Sequence, residues 1–188
     1  LHMPLQSGSD SILQAMRRSY RSEKYLGILD RVRTTLPHAM ITTDIIVGFP
    51  GETEEDFQAT MDLASKAEFA AAYTYKYSIR PGTPAGAMEN QIPEDVVGER
   101  YTRLHEHQQR ISQSVNEEAI GTTHRVMVSE IEGRRDEAQS RMTGRSEDFR
   151  LVHFSSDTDA RPGDFVDVKI SQSSAHYLIG DSVAVHRT

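Results

Sequence analysis

The 188-residue sequence contains no cysteine. A chain without cysteine can form no disulfide and no thiolate metal site, and it has no cysteine nucleophile. No apolar run approaches the roughly 20 residues that a membrane-spanning helix needs. No signal peptide or transit segment is recognisable either. These absences predict a cytoplasmic protein with no membrane partner.

Positive charge is also scarce, because 28 acidic residues outnumber 21 Lys and Arg and leave a net charge of -7. This balance argues against generalised electrostatic binding to a polyanion, although a local basic patch stays possible. The length allows one large domain or two small ones, each able to bury a core.

The stretch 42–53, Thr-Thr-Asp-Ile-Ile-Val-Gly-Phe-Pro-Gly-Glu-Thr, predicts a strand, a loop and a helix start. The β-branched run 45–47 is typical of a parallel strand buried on both faces. The glycines and proline end that strand, and Thr53 with Asp56 forms a capping pair for a following helix. Ligands of α/β folds bind at such loops, at the carboxyl ends of the strands.

Two further strands flank this unit and give a βα alternation. Residues 1–5 and 69–77 predict strands, while helices are expected from Ser9 or Asp10, from Ser22 to before Pro37, and after Thr53. We expect the apolar stripe of the helix that begins at Ser22 to run from residue 25 through 29 and 32 to Leu36. Three parallel strands cannot close a barrel, so the sequence predicts the back part of a larger βα barrel.

A long helix from Pro93 to about Ile120 follows and looks like a brace between two domains. From Gly121 the apolar period changes to two, and roughly five short strands are expected in about 65 residues. This pattern predicts a small antiparallel β-barrel of OB type, a fold that commonly binds RNA. The predicted domains are therefore 1–120 and 121–188.

The second segment holds nine Lys and Arg against eleven acids, so an RNA site there must be a local cluster. A charged barrel surface would look the same in sequence, and it remains an alternative to RNA binding. The candidate phosphate contacts and the candidate stacking residue are Arg141, Arg145, Arg150, Lys169, His176 and Tyr177.

Four motifs carry a family resemblance: residues 1–9 (Leu-His-Met-Pro-Leu-Gln-Ser-Gly-Ser), 16–20 (Met-Arg-Arg-Ser-Tyr), 42–53, and 75–84 (Tyr-Lys-Tyr-Ser-Ile-Arg-Pro-Gly-Thr-Pro). In this order they closely resemble the radical S-adenosylmethionine (radical SAM) methylthiotransferases. The last 65 or so residues are similar to the RNA-binding TRAM domain of that family.

The resemblance implies an α/β fold in which half of a TIM-like radical SAM barrel precedes a small OB-like TRAM barrel. The front half, which would carry a three-cysteine loop for one 4Fe-4S cluster, and a further domain for a second cluster, would belong to a missing N-terminal portion. Since this chain has no cysteine, it would ligate neither cluster and would be inactive alone.

The resemblance also assigns half of a site for S-adenosylmethionine. It implies that Gln6 and Ser7 meet the ribose and methionyl end, and that Arg18 pairs with the carboxylate. Asp44 would accept from the ribose hydroxyls, and Gly48 and Tyr77 would lie beside the adenine. Plainer roles remain open: Asp44 could bond a neighbouring Thr, Arg18 could be a solvated helix end, and Gly48 also serves its turn.

The implied function of the intact enzyme is methylthiolation of adenine C2 in N6-dimethylallyladenosine next to the tRNA anticodon. The implied partners are the tRNA anticodon arm and an electron donor of flavodoxin type. Two alternatives stay open. One is a relative that acts on threonylcarbamoyladenosine tRNA or a ribosomal-protein aspartate, and the other is a non-catalytic RNA-binding module.

Overall fold

The computed structural model describes residues 1–129, 141–155 and 159–187. Contacts divide the chain into two compact units, residues 1–111 and 112–188, with the boundary inside helix α4. The elements in order are α1 (Asp10–Ala15), α2 (Ser22–Thr35), β1 (Thr42–Val47), α3 (Glu54–Ala67), β2 (Ala71–Lys76), a short 3-10 helix (Ala85–Ala87), α4 (Glu94–Glu117), β3 (Thr123–Val128), β4 (Arg141–Ser146), β5 (Leu151–Ser155), β6 (Phe165–Ser173) and β7 (Leu178–His186).

The sheet of the first unit is parallel, as the βα alternation predicts. Strands β1 and β2 pair in parallel, with Asp44 opposite Tyr73 and Ile46 opposite Tyr75. Residues 1–6 run along the other edge of β1 through isolated parallel bridges from His2 to Thr42 and from Gln6 to Ile45.

Residues 1–5, predicted as the end of a strand, pair with β1 only through isolated bridges. Pro4 has no N–H to donate, and the Leu5 N–H donates instead to the side-chain Oγ1 of Thr43, 2.9 Å away. The segment therefore follows β1 without a continuous ladder.

The prediction that β1 is buried on both faces is also wrong. Its residues alternate, with Thr43, Ile45 and Val47 buried and Asp44 and Ile46 only half-buried. The buried face packs on helices, whereas the other face borders the cavity described below. When the two faces of a strand lie in different environments, burial alternates from residue to residue, even where the sequence is continuously apolar.

Three other boundaries differ from expectation. Strand β2 covers Ala71–Lys76 rather than 69–77, and Phe69 precedes it as a fully buried core residue. Helix α4 ends at Glu117 rather than near Ile120. Leu36 lies just beyond α2 and is half exposed, so the apolar stripe of that helix ends one turn earlier than predicted.

The predicted helix starts are confirmed. Ser9 caps α1 by accepting from the Ile12 N–H, and α2 begins at Ser22. At α3, Thr53 and Asp56 form a complete capping box, in which each side chain accepts from the backbone N–H of the other. These caps satisfy N–H groups that have no partner within the helix.

Two apolar clusters hold the first unit together. The first joins α2, α3 and the start of the sheet around Leu5, Leu29 and Phe69. The second packs β1 and α3 against α4 around Ile45, Phe57 and Leu104.

The second unit contains a closed five-stranded barrel in the order β3-β4-β5-β7-β6, which confirms the predicted OB-like barrel. All neighbouring strands pair antiparallel except β5 and β7, which are parallel. Its interior is filled by the inward residues of these strands, among them Val126, Phe154 and Ile170. Among the candidate RNA contacts, Arg145, Lys169, His176 and Tyr177 are exposed on the surface of the barrel.

Candidate functional site

The first unit contains a cavity of about 750 Å³ at the carboxyl ends of β1 and β2. It is bordered by the end of segment 1–6, the residues after α1, one face of the sheet, and the loop that follows β2. The lining residues are Gln6, Ala15, Met16, Arg17, Arg18, Asp44, Ile46, Phe49, Tyr75, Lys76, Tyr77, Ser78, Arg80, Thr83, Pro84 and Ala85.

Four of the six residues predicted to hold the cofactor meet at this cavity: Gln6, Arg18, Asp44 and Tyr77. Gln6 has a left-handed backbone with φ +73. Its N–H donates to the Asp44 carbonyl and its carbonyl accepts from the Ile46 N–H, each at 2.8 Å. These two bonds fix the bend that ends the extended segment.

Asp44 projects from β1 and does not bond a neighbouring threonine. Its Oδ2 lies 3.3 Å from Nε2 of His2, and the other ring nitrogen of His2 lies 2.9 Å from the Thr42 hydroxyl. The carboxylate of Asp44 is about a quarter exposed, so it can accept further hydrogen bonds from a ligand.

Arg17 and Arg18 reach the cavity because of the way α1 ends. The Arg18 N–H donates to the Leu13 carbonyl and the Arg17 N–H donates to the Gln14 carbonyl, both at 2.9 Å. This is a Schellman motif, in which the left-handed position usually belongs to glycine. Here Arg17 occupies it with φ +57, so both side chains start from a sharp, well-defined turn.

The charge of the cavity lining is predominantly positive. Arg17, Arg18, Lys76 and Arg80 are cationic, while Asp44 is the single acidic residue among the lining residues. Such a site favours a ligand with a carboxylate or a phosphate, and Asp44 provides one acceptor for hydroxyl groups.

An aromatic pair forms the apolar part of the lining. Phe49 is buried, and its ring meets the ring of Tyr77 edge-on with centroids 5.3 Å apart. The Tyr77 hydroxyl is buried and has no hydrogen-bond partner within the residues that the structure describes. Because an unpaired buried hydroxyl is unfavourable, a polar ligand atom or a water is expected there.

Ser7 and Gly48 are not among the residues lining the cavity. The Ser7 hydroxyl is buried 3.3 Å from that of Thr60 and accepts from the Ser9 N–H. Gly48 has φ +76, and a Cβ placed on it would lie 2.4 Å from a methyl group of Val97. The structure thus gives both residues roles in holding the chain, and their contact with the cofactor stays a prediction.

A buried ion pair behind the cavity was not anticipated from the sequence. Arg100 of α4 donates through Nη1 to the Glu52 carboxylate at 2.9 Å and to the Glu52 carbonyl at 3.0 Å. Glu52 also accepts from the Gly48 N–H at 2.9 Å. Burial raises the pKa of the Glu52 carboxyl, and the Gly48 N–H and Arg100 offset this only in part. The pair anchors the loop that carries Phe49.

The candidate RNA contacts of the barrel do not form one cluster. Arg141 and Arg145 lie on β4, Lys169 lies on β6 with β3 between them, and His176 and Tyr177 belong to the β6–β7 turn. The Tyr177 ring meets His153 edge-on at 5.0 Å, which leaves it about one third exposed.

Arg150 is the least available of these candidates. Its side chain is 11% exposed, and its guanidinium lies 2.5 Å from the Asp148 carboxylate, which neutralises its charge. Arg145, Lys169 and His176 are exposed and remain candidates. Nothing in the periodicity of the sequence distinguishes a paired arginine from a free one.

Two known family models match separate segments of the chain. The Radical SAM superfamily matches residues 1–64, and the TRAM domain matches residues 117–183. The chain therefore carries one segment similar to the radical SAM superfamily and one similar to the TRAM domain. The resemblance inferred from the four motifs is therefore confirmed.

Curated relatives match the chain over nearly its whole length, and all three described here are named tRNA-2-methylthio-N(6)-dimethylallyladenosine synthase. The relative from Corynebacterium urealyticum is 59% identical over 99% of this chain and 34% of its own length. The relative from Mycobacterium avium is 58% identical over 100% of this chain and 26% of its own length. The relative from Clavibacter sepedonicus is 60% identical over 97% of this chain and 35% of its own length. The chain thus spans about a third of the length of these relatives.

The radical SAM assignment implies S-adenosylmethionine and iron–sulfur clusters in the full-length enzymes, and the residues present suit only the first. Cations, a hydroxyl acceptor, an aromatic slot and an unpaired hydroxyl match the groups of S-adenosylmethionine. The chain has no cysteine, and within the described ranges no group of three or more His, Asp or Glu could hold a metal. No cluster is ligated by this chain.

Across residues 1–129, 141–155 and 159–187, no helix combines the length and the apolar character needed to cross a membrane.

Proposed function

We propose that this chain is the C-terminal part of a tRNA methylthiotransferase that modifies adenine C2 of N6-dimethylallyladenosine next to the anticodon. Residues 1–120 would form the second half of a radical SAM barrel with its bracing helix, and residues 121–188 the TRAM barrel. The observation that carries the proposal is the cavity that collects Gln6, Arg18, Asp44 and Tyr77 from four separate segments. The names of the relatives support the substrate.

The side chains of the cavity have distinct roles in this proposal. Arg18 pairs with the carboxylate of S-adenosylmethionine through its planar guanidinium, while Asp44 accepts from the ribose hydroxyls. Phe49 and Ile46 provide an apolar surface for the adenine, and Tyr77 presents its hydroxyl to a polar atom of the ligand. When bound, S-adenosylmethionine supplies the one-electron chemistry and the methyl group, and the protein orients it.

The remaining partners follow from the same proposal. The missing N-terminal portion of the enzyme would carry both 4Fe-4S clusters, and a flavodoxin-type protein would deliver the electrons. The TRAM barrel would hold the anticodon arm of the tRNA. Since tRNA is its substrate, the enzyme would act in the cytoplasm.

A chimeric enzyme tests the proposal. This chain would replace the matching segment of the Corynebacterium urealyticum relative, to which it is 59% identical. The chimera would be expressed in a bacterium that lacks its own enzyme, and tRNA nucleosides would be analysed by mass spectrometry. We expect the methylthio derivative of N6-dimethylallyladenosine to appear.

Two variants link the result to the cavity. Arg18→Met and Asp44→Asn should each reduce the modified nucleoside by at least about tenfold, since each removes a charged contact with the cofactor. Arg103→Met provides a matched control, because Arg103 lies on α4 in exposed ion pairs with Glu54 and Glu99. It should leave the modification unchanged.

Other outcomes would contradict the proposed substrate or reaction. A methylthio group on threonylcarbamoyladenosine or on a ribosomal-protein aspartate would assign the chain to a different methylthiotransferase. A well-folded chimera that binds tRNA in a salt-dependent manner, yet leaves its bases unmodified, would indicate an RNA-binding module.

A further inference from the structure

Phe149 is the most exposed large apolar side chain in the part of the chain that the structure describes. It lies in the β4–β5 turn with 81% of its surface accessible. Its backbone is left-handed, with φ +69. This conformation is unusual for a bulky residue, and glycine or asparagine commonly occupies it. Neither the burial nor the backbone of Phe149 favours phenylalanine at this position.

The turn that displays Phe149 is held by hydrogen bonds. The Phe149 N–H donates to the Ser146 carbonyl at 2.8 Å, and the Ser146 N–H donates to the Arg150 carbonyl at 3.1 Å. The Asp148 carboxylate accepts from the Ser146 hydroxyl and from the Arg150 guanidinium, each at 2.5 Å. The aromatic ring is therefore presented from a defined turn.

Arg145 lies at the base of the same turn. Its Nη1 donates to the Phe149 carbonyl at 3.1 Å, and the side chain is exposed. Met127, directly opposite Arg145 across the β3–β4 ladder, is about half exposed. Glu147, the acid next to this group on the turn, is exposed as well, so the turn is not a simple cationic patch.

We propose that Phe149, flanked by Arg145, stacks on an unpaired base of the RNA that the TRAM barrel binds. This inference rests on the proposed function and adds the residue and the kind of RNA that it contacts. Proteins bind single-stranded RNA by combining exposed aromatic rings with nearby cations. An unpaired base offers an apolar face to the ring, and the base itself carries no charge. Stacking therefore needs no phosphate close to the acidic Glu147, which would repel one. Base pairs inside a duplex are stacked on both faces and cannot meet the ring.

Phe149→Asn is the decisive variant, because asparagine tolerates the left-handed backbone but cannot stack as an aromatic ring. Binding would be measured by the full 188-residue chain to an RNA hairpin with an unpaired loop and to a blunt RNA duplex. We expect the variant to bind the hairpin about tenfold more weakly and the duplex with unchanged affinity. Its melting temperature should equal or exceed that of the wild type.

Two further variants complete the test. Phe149→Trp should retain hairpin binding, because it keeps an aromatic face. Val183→Asn is the matched control, since Val183 is a 64% exposed apolar residue on β7 and its replacement should change neither affinity nor stability. Added salt should weaken binding of wild type and Phe149→Asn in parallel, because stacking involves no phosphate charge.

The outcomes separate this inference from the function on which it rests. If the wild type binds neither RNA, the proposed RNA binding fails. If the wild type binds the hairpin and Phe149→Asn binds it within about twofold, the stacking role is refuted and the exposed ring is better explained by a protein partner. A lower melting temperature with equal loss of hairpin and duplex binding would also refute it, since that result indicates a structural role.

Discussion

Arg100 can be removed to test whether the loop beside the cavity depends on its buried ion pair. The side chains of Arg100 and Glu52 are 7% and 1% exposed. Arg100→Met keeps most of the apolar stem but removes the guanidinium, which lies over the Phe57 ring and pairs with Glu52. The Glu52 carboxylate then keeps the hydrogen bond from the Gly48 N–H. The unfolding free energy of the first unit should fall.

The expected loss is about 3 kcal/mol, the lower end of what is found when one partner of a buried pair is removed. The upper end is not expected, because the Gly48 N–H still donates to the carboxylate. Arg103→Met on the same helix removes exposed ion pairs instead and should cost less than about 1 kcal/mol.

The loss should depend on pH in a defined direction. Burial raises the pKa of Glu52 in the folded chain, and Arg100 counteracts part of that rise. Without Arg100 the folded-state pKa rises further, so the stability associated with protonated Glu52 is lost as pH rises through that higher pKa. The difference in unfolding free energy between wild type and Arg100→Met should therefore become smaller as pH is lowered from about 8 to about 5.

Tyrosine fluorescence during urea unfolding provides the measurement. The chain has no tryptophan, and six of its seven tyrosines lie in residues 1–111, so the signal reports chiefly on the first unit. A loss of about 3 kcal/mol corresponds to a shift of about 1–3 M in the urea midpoint.

A double-mutant cycle with Glu52→Gln gives the outcome that would contradict this reasoning. Arg100→Met should cost much less when Glu52 is already neutral. If Arg100→Met costs under about 1 kcal/mol at neutral pH, or costs the same in the Glu52→Gln background, the stranded carboxylate is not what destabilises the variant.

Three further predictions concern local elements. Thr53→Ala removes the capping box of α3 and should lower the stability of the first unit by about 1 kcal/mol in the same urea titration. Gly48→Ala should cost more than about 1 kcal/mol because it adds a contact of 2.4 Å with Val97 to a left-handed backbone, and Val97→Ala should restore part of the loss. Although burial raises the pKa of Asp148, hydrogen bonds from Arg150 and Ser146 lower it below its ordinary value. Barrel stability should thus fall as pH drops through that lowered pKa, and Asp148→Asn should flatten this acid dependence in circular dichroism melts.

Local signals in the sequence predicted the helix starts and the barrel. Thr53 and Asp56 are three residues apart, and a capping box depends only on that spacing. The period-two pattern of β6 likewise reflects the alternation of inward and outward side chains within one strand. Such features involve neighbours in the chain, so they can be recognised without knowledge of the tertiary structure.

The features that sequence reasoning missed depend on distant residues. Arg100 is 48 positions from Glu52, and no local pattern indicates that the two side chains meet. Similarly, whether β1 is buried on one face or both depends on what covers each face of the sheet. Arg150 and Asp148 are two residues apart, so their pairing is local. Arg150 is a poor RNA contact because this pair is largely buried, and composition does not reveal burial.

The loop after β1 illustrates how one motif combines these two kinds of information. Gly48 and Gly51 have φ of +76 and +83, so the turn itself requires glycine at both positions. Glu52 then fixes the loop from outside the cavity, through the Gly48 N–H and Arg100, while Phe49 packs against Tyr77 inside it. Because Glu52 and Phe49 belong to one five-residue loop, loss of the ion pair between Arg100 and Glu52 should disturb the contact between Phe49 and Tyr77. Arg100→Met should therefore weaken ligand binding in the cavity even though Arg100 is not among its lining residues. Unchanged ligand affinity in a folded Arg100→Met chimera would show instead that the aromatic pair holds its own position.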